Sequence, residues 1–295
     1  KGIEENVREA LLHYINEYFR ANNKLGISNR IMVLLFKGED AIRHLNQDIV
    51  GPLANHLVGD TVRGTYGDYI GYASGELKYF EPAVLTSVDE ETNRKQLKLL
   101  LDCADRDGGV LEHVIDFKGK QVETCLVMLK PENFERPSTR AGNIIDIFSR
   151  TGLYIVGAKL VRMSVAQAEQ FYGHLRKIFE QKFRPSVVKR IKEALSSTFN
   201  FHIPDGCFEN MADCITGLNA EYEFNRIVQF MTGINPYEIG PGFDKNKPGK
   251  EKCLALLYQG ENAIRKIREC LGSTDPRQAA AGTVRSEFGL DVMKN

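Results

Sequence analysis

The sequence predicts an α+β sandwich, an antiparallel sheet with helices packed on it, and it predicts that arrangement twice. Two matches carry the duplication. Leu35-Phe-Lys-Gly-Glu-Asp-Ala-Ile-Arg43 repeats as Leu257-Tyr-Gln-Gly-Glu-Asn-Ala-Ile-Arg265, identical at six of nine positions and 222 residues apart. At the same offset, Thr61-Val-Arg-Gly-Thr-Tyr-Gly67 matches Thr283-Val-Arg-Ser-Glu-Phe-Gly289 at four of seven. Two ungapped windows at one offset indicate an internal repeat. The third observation is the order of elements over residues 124–295: strand, helix, strand, helices, strand, helix, strand.

Taken from the start, residues 3–20 place Ile3, Val7, Leu11, Leu12, Ile15 and Phe19 on one helical face. Gly26 and Asn29 break that pattern before the apolar run Ile31–Phe36, which reads as a strand. A helix from Glu39 to about Ile49 stops at Gly51-Pro52. Beyond the TVRGTYGDY segment come Phe80–Leu85 and a helix from about Ser87 to Cys103. The polar stretch Asp102–Gly109 sets the domain boundary, giving 1–108 and 109–295.

In the second part, Thr124–Leu129 is a compact apolar run that reads as a central strand, ended by Lys130-Pro131. Asn133–Gly142 reads as a loop, Ile144–Ser149 as a helix closed by Gly152, and Leu153–Met163 as a strand. Ser164 and Gln167 have the spacing of a capping box for a helix holding Phe171 and Tyr172. Cys253–Tyr258 is a buried strand, followed by a turn at Gly260 and a helix ending near Gly272. A loop with Thr274, Pro276, Gly282 and Arg285 leads to a last strand, Phe288–Met293. The βαββαβ order is that of a ferredoxin-like sandwich, a fold that hosts many functions.

Composition narrows the classes. With 42% apolar and 26% charged residues, a 295-residue chain can build two ordinary cores. Basic and acidic residues balance at 39 each, so no overall field favours nucleic acid or a membrane surface. No apolar run approaches the roughly 18 residues of a membrane span, and no leader is read. Cys207 and Cys214 lack metal-ligand spacing and have only His202 nearby, so no metal site is expected. Scattered cysteines point to reduced thiols and a cytoplasmic address. A chain running from Lys1 to Asn295 and stopping inside a motif reads as part of something longer.

Lys130, at a strand end before a proline, can set a point charge on a phosphate or simply be solvated. Residues Lys252–Asn295 resemble the second half of the nucleoside diphosphate kinases. Those carry strand–EG–helix–R–x–x–L–G–x–T–x–P, then G–T–I/V–R–x–(D/E)–F, then a strand closing in Asn. Lys130-Pro131-Glu132 fits the K–P–D/E that ends the family's first strand, although Asn133–Asn143 keeps only Arg140 and Gly142. The resemblance covers most of 120–172 and 222–295, and 31–70 in weaker form.

What it implies is a γ-phosphoryl transfer from a nucleoside triphosphate to a diphosphate through a histidine expected three residues beyond Asn295. It implies Mg²⁺ with ATP or another triphosphate, nucleoside di- and triphosphates as partners, and a homo-oligomer. Lys130, Arg268, Thr274 and Arg285 would hold phosphates, Tyr172 and Asn295 the transferring group and sugar, and Val292 the wall beneath the base. Either Tyr222 or Phe224 would stack on the base. The alternative is a non-catalytic nucleotide-binding or scaffold module.

Two departures stand out. About fifty residues, 173–221, are inserted after Tyr172. They open with basic residues (His174, Arg176, Lys177, Lys182, Arg184, Lys189, Arg190, Lys192), but interleaved Glu180, Glu193 and Asp205 argue against nucleic acid. A lid extension, an oligomer contact and a plain helical hairpin all remain open. The first copy is degenerate: subtracting 222, Arg268 becomes Asn46, Thr274 becomes Pro52, Val292 becomes Ile70, Asn295 becomes Ala73, and the expected histidine becomes Glu76. Arg285 alone keeps its chemistry, as Arg63.

Overall fold

The computed structural model describes residues 5–20, 31–53, 59–71, 77–107 and 121–289. The chain forms two compact units, Lys1–Gly119 and Lys120–Asn295. A helix, Glu90–Asp107, runs into the polar stretch read as the boundary.

The second unit is built on an antiparallel sheet of β3 (Val122–Leu129), β4 (Tyr154–Val161) and β5 (Cys253–Glu261), in the order β3-β5-β4. Strand β5 carries a ladder on both edges, with Leu257 opposite Leu126 on one side and Gly157 on the other. Gly260, expected to turn the chain, is a strand residue paired with Glu123. The reversal comes at Asn262, left-handed at φ 55, just before α9 (Ala263–Leu271). β3, expected to be central, is an outer strand among the described residues. The strand expected from Phe288 cannot begin there, since Phe288 closes helix α10 (Val284–Phe288); residues 290–293 fall outside the described residues.

Alternation along the strands sorts the core. Val127, Leu129, Leu256 and Tyr258 face one side, where Ile144, Ile147 and Phe148 of α5 (Arg140–Ser149) and Ile267 of α9 cover them. α5 begins at Arg140, ahead of the expected Ile144, and Gly152 at φ +66 returns the chain into β4. On the opposite face Cys253 meets Val165 and Ala168 of α6 (Val165–Tyr172), while Leu126 stays exposed.

The capping box at the start of α6 is complete. Ser164 Oγ accepts from the Gln167 N–H at 3.1 Å, and Gln167 Oε1 accepts from the Ser164 N–H at 3.0 Å.

The insertion is a helical hairpin of α7 (Leu175–Thr198) and α8 (Asp205–Thr232). Its own small core joins Val187 and Ile191 to Phe208 and Ala212. Ion pairs fix the register: Arg176–Glu221 at 2.7 Å, Arg184–Asp213 at 2.7 Å and Lys192–Asp205 at 2.8 Å. Three of the basic side chains of α7 are thus paired with acids of α8. Phe224, Val228 and Met231 at the far end of α8 pack on α6 and join the hairpin to the body.

In the first unit, α1 (Glu5–Tyr18) packs against β2 (Leu77–Glu81), which pairs with β1 (Asp68–Gly71) in a hairpin the sequence pattern did not suggest. α2 (Ala41–His44) continues as a π-helical turn, Leu45–Val50; α3 (Val62–Tyr66) and α4 (Glu90–Asp107) follow. The run Ile31–Phe36 is not a strand, and all six side chains are exposed. Its counterpart β5 is held from both edges, whereas the described residues of the first unit supply no neighbour of that kind. A strand without partners leaves its backbone groups unpaired, and apolar sequence alone does not make one.

Ser164 is itself buried, so its cap cannot be replaced by water. Ser164→Ala should lower the unfolding free energy by about 1 kcal/mol, and Ser164→Thr should keep most of it. Urea denaturation measures both; an alanine variant as stable as the parent would contradict the capping role.

Candidate functional site

The two TVR segments fold alike. Each opens a short helix, α3 or α10, behind a glycine with positive φ that ends the preceding helix: Gly51 at +84 and Gly272 at +78. A side chain at either glycine would run into the TVR threonine, Thr61 or Thr283. Each arginine then donates to the carbonyl of its glycine. Arg63 Nη1 reaches Gly51 O at 2.6 Å, and Arg285 Nη1 reaches Gly272 O at 2.7 Å.

The glycines are 272 − 51 = 221 residues apart, one fewer than the threonines at 283 − 61 = 222. The π-helical turn Leu45–Val50 absorbs the extra residue. Counting back from the glycines, Arg268 therefore stands opposite Gln47 rather than Asn46. Neither is charged, and Asn46 is tied internally, donating to Ile42 O and Ser87 O.

Beyond the shared bond the arginines diverge. Arg63 is 6% exposed, and its Nε and Nη2 donate to Val84 O at 3.2 and 3.0 Å. Its guanidinium is consumed by the fold. Arg285 is half-buried, and among the described residues its remaining donors have no protein partner. Burial, then the positive charge of Arg268, hold its pKa below the ordinary arginine value. Arg268, in the last turn of α9, is exposed and also lacks a carboxylate partner among the described residues. Arg176 and Arg184 of the insertion, by contrast, are paired with acids. Two neighbouring guanidiniums that repel one another are stabilised by an anion that contacts both.

The other expected residues are placed as follows. Thr274 is exposed in the loop between α9 and α10. Lys130 is exposed at the end of β3, its ammonium 5.9 Å from the Phe230 ring centroid. The Lys130 carbonyl accepts from Asn133 Nδ2 at 3.1 Å, and Asn133 Oδ1 accepts from Arg140 Nε at 2.8 Å. Arg140 Nη2 donates in turn to Phe288 O, so a chain of bonds ties the Lys130 turn to the helix of Arg285. Pattern alone had marked Arg140 only as a surviving position.

Tyr172, half-buried at the end of α6, has its pKa pushed up to about 12 by burial, with Cys253 and Glu132 adding to it. It is therefore a neutral phenol at physiological pH, able to donate. Glu132 beside it has a buried Oε2 with no hydrogen-bond partner among the described residues.

Of the two aromatics expected to stack on the base, Phe224 is not free to do so. Phe224 is fully buried against α6, with the Arg176 guanidinium 3.5 Å from its ring centroid. Its ring faces are covered, which corrects the stacking expected of it. Tyr222 is 52% exposed but lies two residues away, about 200° around the helix, on the outward side. Val292 and Asn295 lie outside the described residues, as do Ala73 and Glu76 of the first copy.

Residues 123–201 and 247–295 match the family model described as nucleoside diphosphate kinase. Over these segments the chain is similar to the nucleoside diphosphate kinases. Relatives bearing that name include one from Desulfatibacillum aliphaticivorans, 28% identical over 174 residues, 59% of this chain and 81% of its own length. Another, from Halorhodospira halophila, is 29% identical over 174 residues, 59% of this chain and 79% of the relative. Solved structures with a partial likeness include an NDP kinase from Pyrobaculum aerophilum, 22% identical over 57% of this chain and 76% of its own, at a TM-score of 0.38. A nucleoside diphosphate kinase from Halobacterium salinarum in complex with CDP is 21% identical over 58% of this chain and 71% of its own, at a TM-score of 0.34. Residues 202–246, which contain α8, fall between the two matched segments. Both Arg268 and Arg285 lie in a matched segment, whereas Arg63 lies in neither.

Removing Arg63 should act on stability. Arg63→Ala leaves the carbonyl of the buried residue Gly51 without its partner, at about 1–3 kcal/mol, and frees the Val84 carbonyl as well. Arg285→Ala loses a single such bond and should destabilise less. Chemical denaturation of both variants checks the order; equal losses would contradict the structural role given to Arg63.

Proposed function

We propose that the chain transfers the γ-phosphoryl of a nucleoside triphosphate to a nucleoside diphosphate by way of a phosphohistidine, the histidine being expected three residues beyond Asn295. The observation that carries this reading is the arginine pair on α9 and α10, where the charge of Arg268 bears on Arg285 and neither has a carboxylate partner among the described residues. Phosphoryl transfer asks a protein chiefly for positioning and for neutralising charge on phosphate oxygens, and this pair supplies both.

In the forward half-reaction a histidine nitrogen attacks Pγ, the bond from Pγ to the β,γ-bridging oxygen breaks, and the diphosphate leaves with that oxygen. In the second half a terminal oxygen of the acceptor diphosphate attacks the phosphohistidine and frees the nitrogen. Arg268 and Arg285 hold phosphate oxygens, with Thr274 donating from the loop between their helices and Lys130 adding a mobile charge. Tyr172, kept neutral by burial, donates its hydroxyl to the transferring group, and Asn295 and Val292 serve sugar and base. Neither Tyr222 nor Phe224 is assigned the base.

Among the described residues no three His, Cys, Asp or Glu groups lie together as a metal cage. The reading takes Mg²⁺ to arrive on the phosphates, largely hydrated, as part of the nucleotide substrate. Among the described residues no helix is long and apolar enough to cross a membrane. The first unit reads as a degenerate copy, on the shared TVR geometry and the loss of the Arg268 and Thr274 counterparts.

Protein extended through the histidine should take acid-labile, base-stable label from γ-labelled ATP. Bound nucleotide without label would favour the non-catalytic binding module instead. Arg285→Ala should weaken diphosphate binding about ten- to a hundredfold, and Arg285→Lys should recover only part, since it keeps the charge but not the two-pronged fork. Undiminished affinity in a folded Arg285→Ala protein would remove the arginine pair from the site.

A further inference from the structure

Lys130 has a fixed backbone, and its charge is met by a ring rather than by an acid. Its carbonyl accepts from the Asn133 N–H and from Asn133 Nδ2, both at 3.1 Å, and Pro131 follows it. The side chain beyond that anchored backbone is an exposed, flexible stem. Among the described residues its ammonium has no carboxylate partner, and it lies over the Phe230 ring, 5.9 Å from the centroid.

The ring is held in place by its neighbours. Phe230 is 42% exposed, although Val228 and Met231 beside it on α8 are buried. Both pack in one cluster with Met128 of β3, the strand that leads into Lys130. That packing fixes the last turns of α8, and the ring with them, against the end of the strand. A half-exposed phenylalanine is ordinary by itself. What distinguishes this one is the cation above it.

The kind of partner has a chemical consequence. A carboxylate would also orient the ammonium, but it would neutralise the charge, and a phosphate would then have to displace it. An aromatic face attracts the cation and leaves its charge and N–H donors to a ligand. Lys192 of the same hairpin shows the alternative. It too lies over a ring, Phe208 at 5.8 Å, but its ammonium is paired with Asp205 at 2.8 Å. The charge of Lys192 is spent inside the hairpin, and that of Lys130 is not.

We propose that Phe230 is a positioning residue for Lys130. Its ring draws the mobile stem into a narrower arc and presents the ammonium, unpaired, to a phosphate of the nucleotide. Part of the ordering that binding requires is then already in place. The inference rests on the reading of Lys130 as a phosphate contact and adds the group that orients it. Phe230 lies between the two matched segments, on α8.

Two measurements on the full chain test this. In protein with isotope-labelled lysine, the Lys130 ε-proton signal, assigned by its loss in Lys130→Arg, should be shifted upfield by the ring before nucleotide is added. Phe230→Leu should return it to the position of other exposed lysines, and Phe230→Tyr should keep the shift. In calorimetric titration with a non-hydrolysable nucleoside triphosphate, Phe230→Leu should bind about two- to fivefold more weakly at an unchanged melting temperature. Phe230→Tyr should recover that affinity, and in a Lys130→Met background Phe230→Leu should change nothing further. An unshifted signal in the parent, parental affinity in Phe230→Leu, or an equal loss with Lys130 removed would each overturn the proposal. If the ring shift is present but Lys130→Met costs no affinity, the failure lies in the reading of Lys130 as a phosphate contact rather than in the ring.

Discussion

A strand that is hydrogen-bonded along both edges fixes everything attached to it, and β5 is that strand. Its ladders hold β3 on one side and β4 on the other. Lys130 is thereby set at the end of one neighbour, and α9 with Arg268 directly behind the left-handed Asn262. The Asn133–Arg140–Phe288 bonds then lock the Lys130 turn to α10, which carries Arg285. Remove the ladders and the cations have no common frame. The run Ile31–Phe36 shows what the same kind of sequence does without them, lying exposed and with no strand partner among the described residues.

The arginines show how a single motif divides into two uses. A guanidinium has five N–H donors, and their fate decides whether the residue is structure or site. Arg63 gives its donors to Gly51 and Val84 and is buried by doing so. Arg285 makes the glycine bond, and among the described residues its remaining donors have no protein partner. The motif preserves the first bond, which ends one helix and starts the next. In the proposed site, binding would fall to the donors left over.

Much of the second unit was legible in the sequence because its signals are local. The capping box at Ser164, the stop at Gly272 and the apolar strands each follow from a few neighbouring residues. The helical insertion was open between several readings, and the ion pairs between α7 and α8 decided for a hairpin. The misreadings share a different cause. Whether Ile31–Phe36 pairs, whether Gly260 turns and whether Phe224 is free to stack depend on distant neighbours that no short window contains. Phe224 is the plainest case: its aromatic character was visible, but its burial under Arg176 and against α6 was not. The divergence of Arg63 from Arg285 was half visible, in the lost counterparts of Arg268 and Thr274; the carbonyls that capture Arg63 were not.

The central claim is that the second unit has a phosphate-binding arginine pair and the first unit has spent its arginine on its own fold. Calorimetric titration of the chain with a non-hydrolysable nucleoside triphosphate tests this most directly. A stoichiometry near one per chain, abolished by Arg285→Ala and unchanged by Arg63→Ala in folded protein, is the result expected. A stoichiometry near two, or one site lost with Arg63 instead, would contradict it.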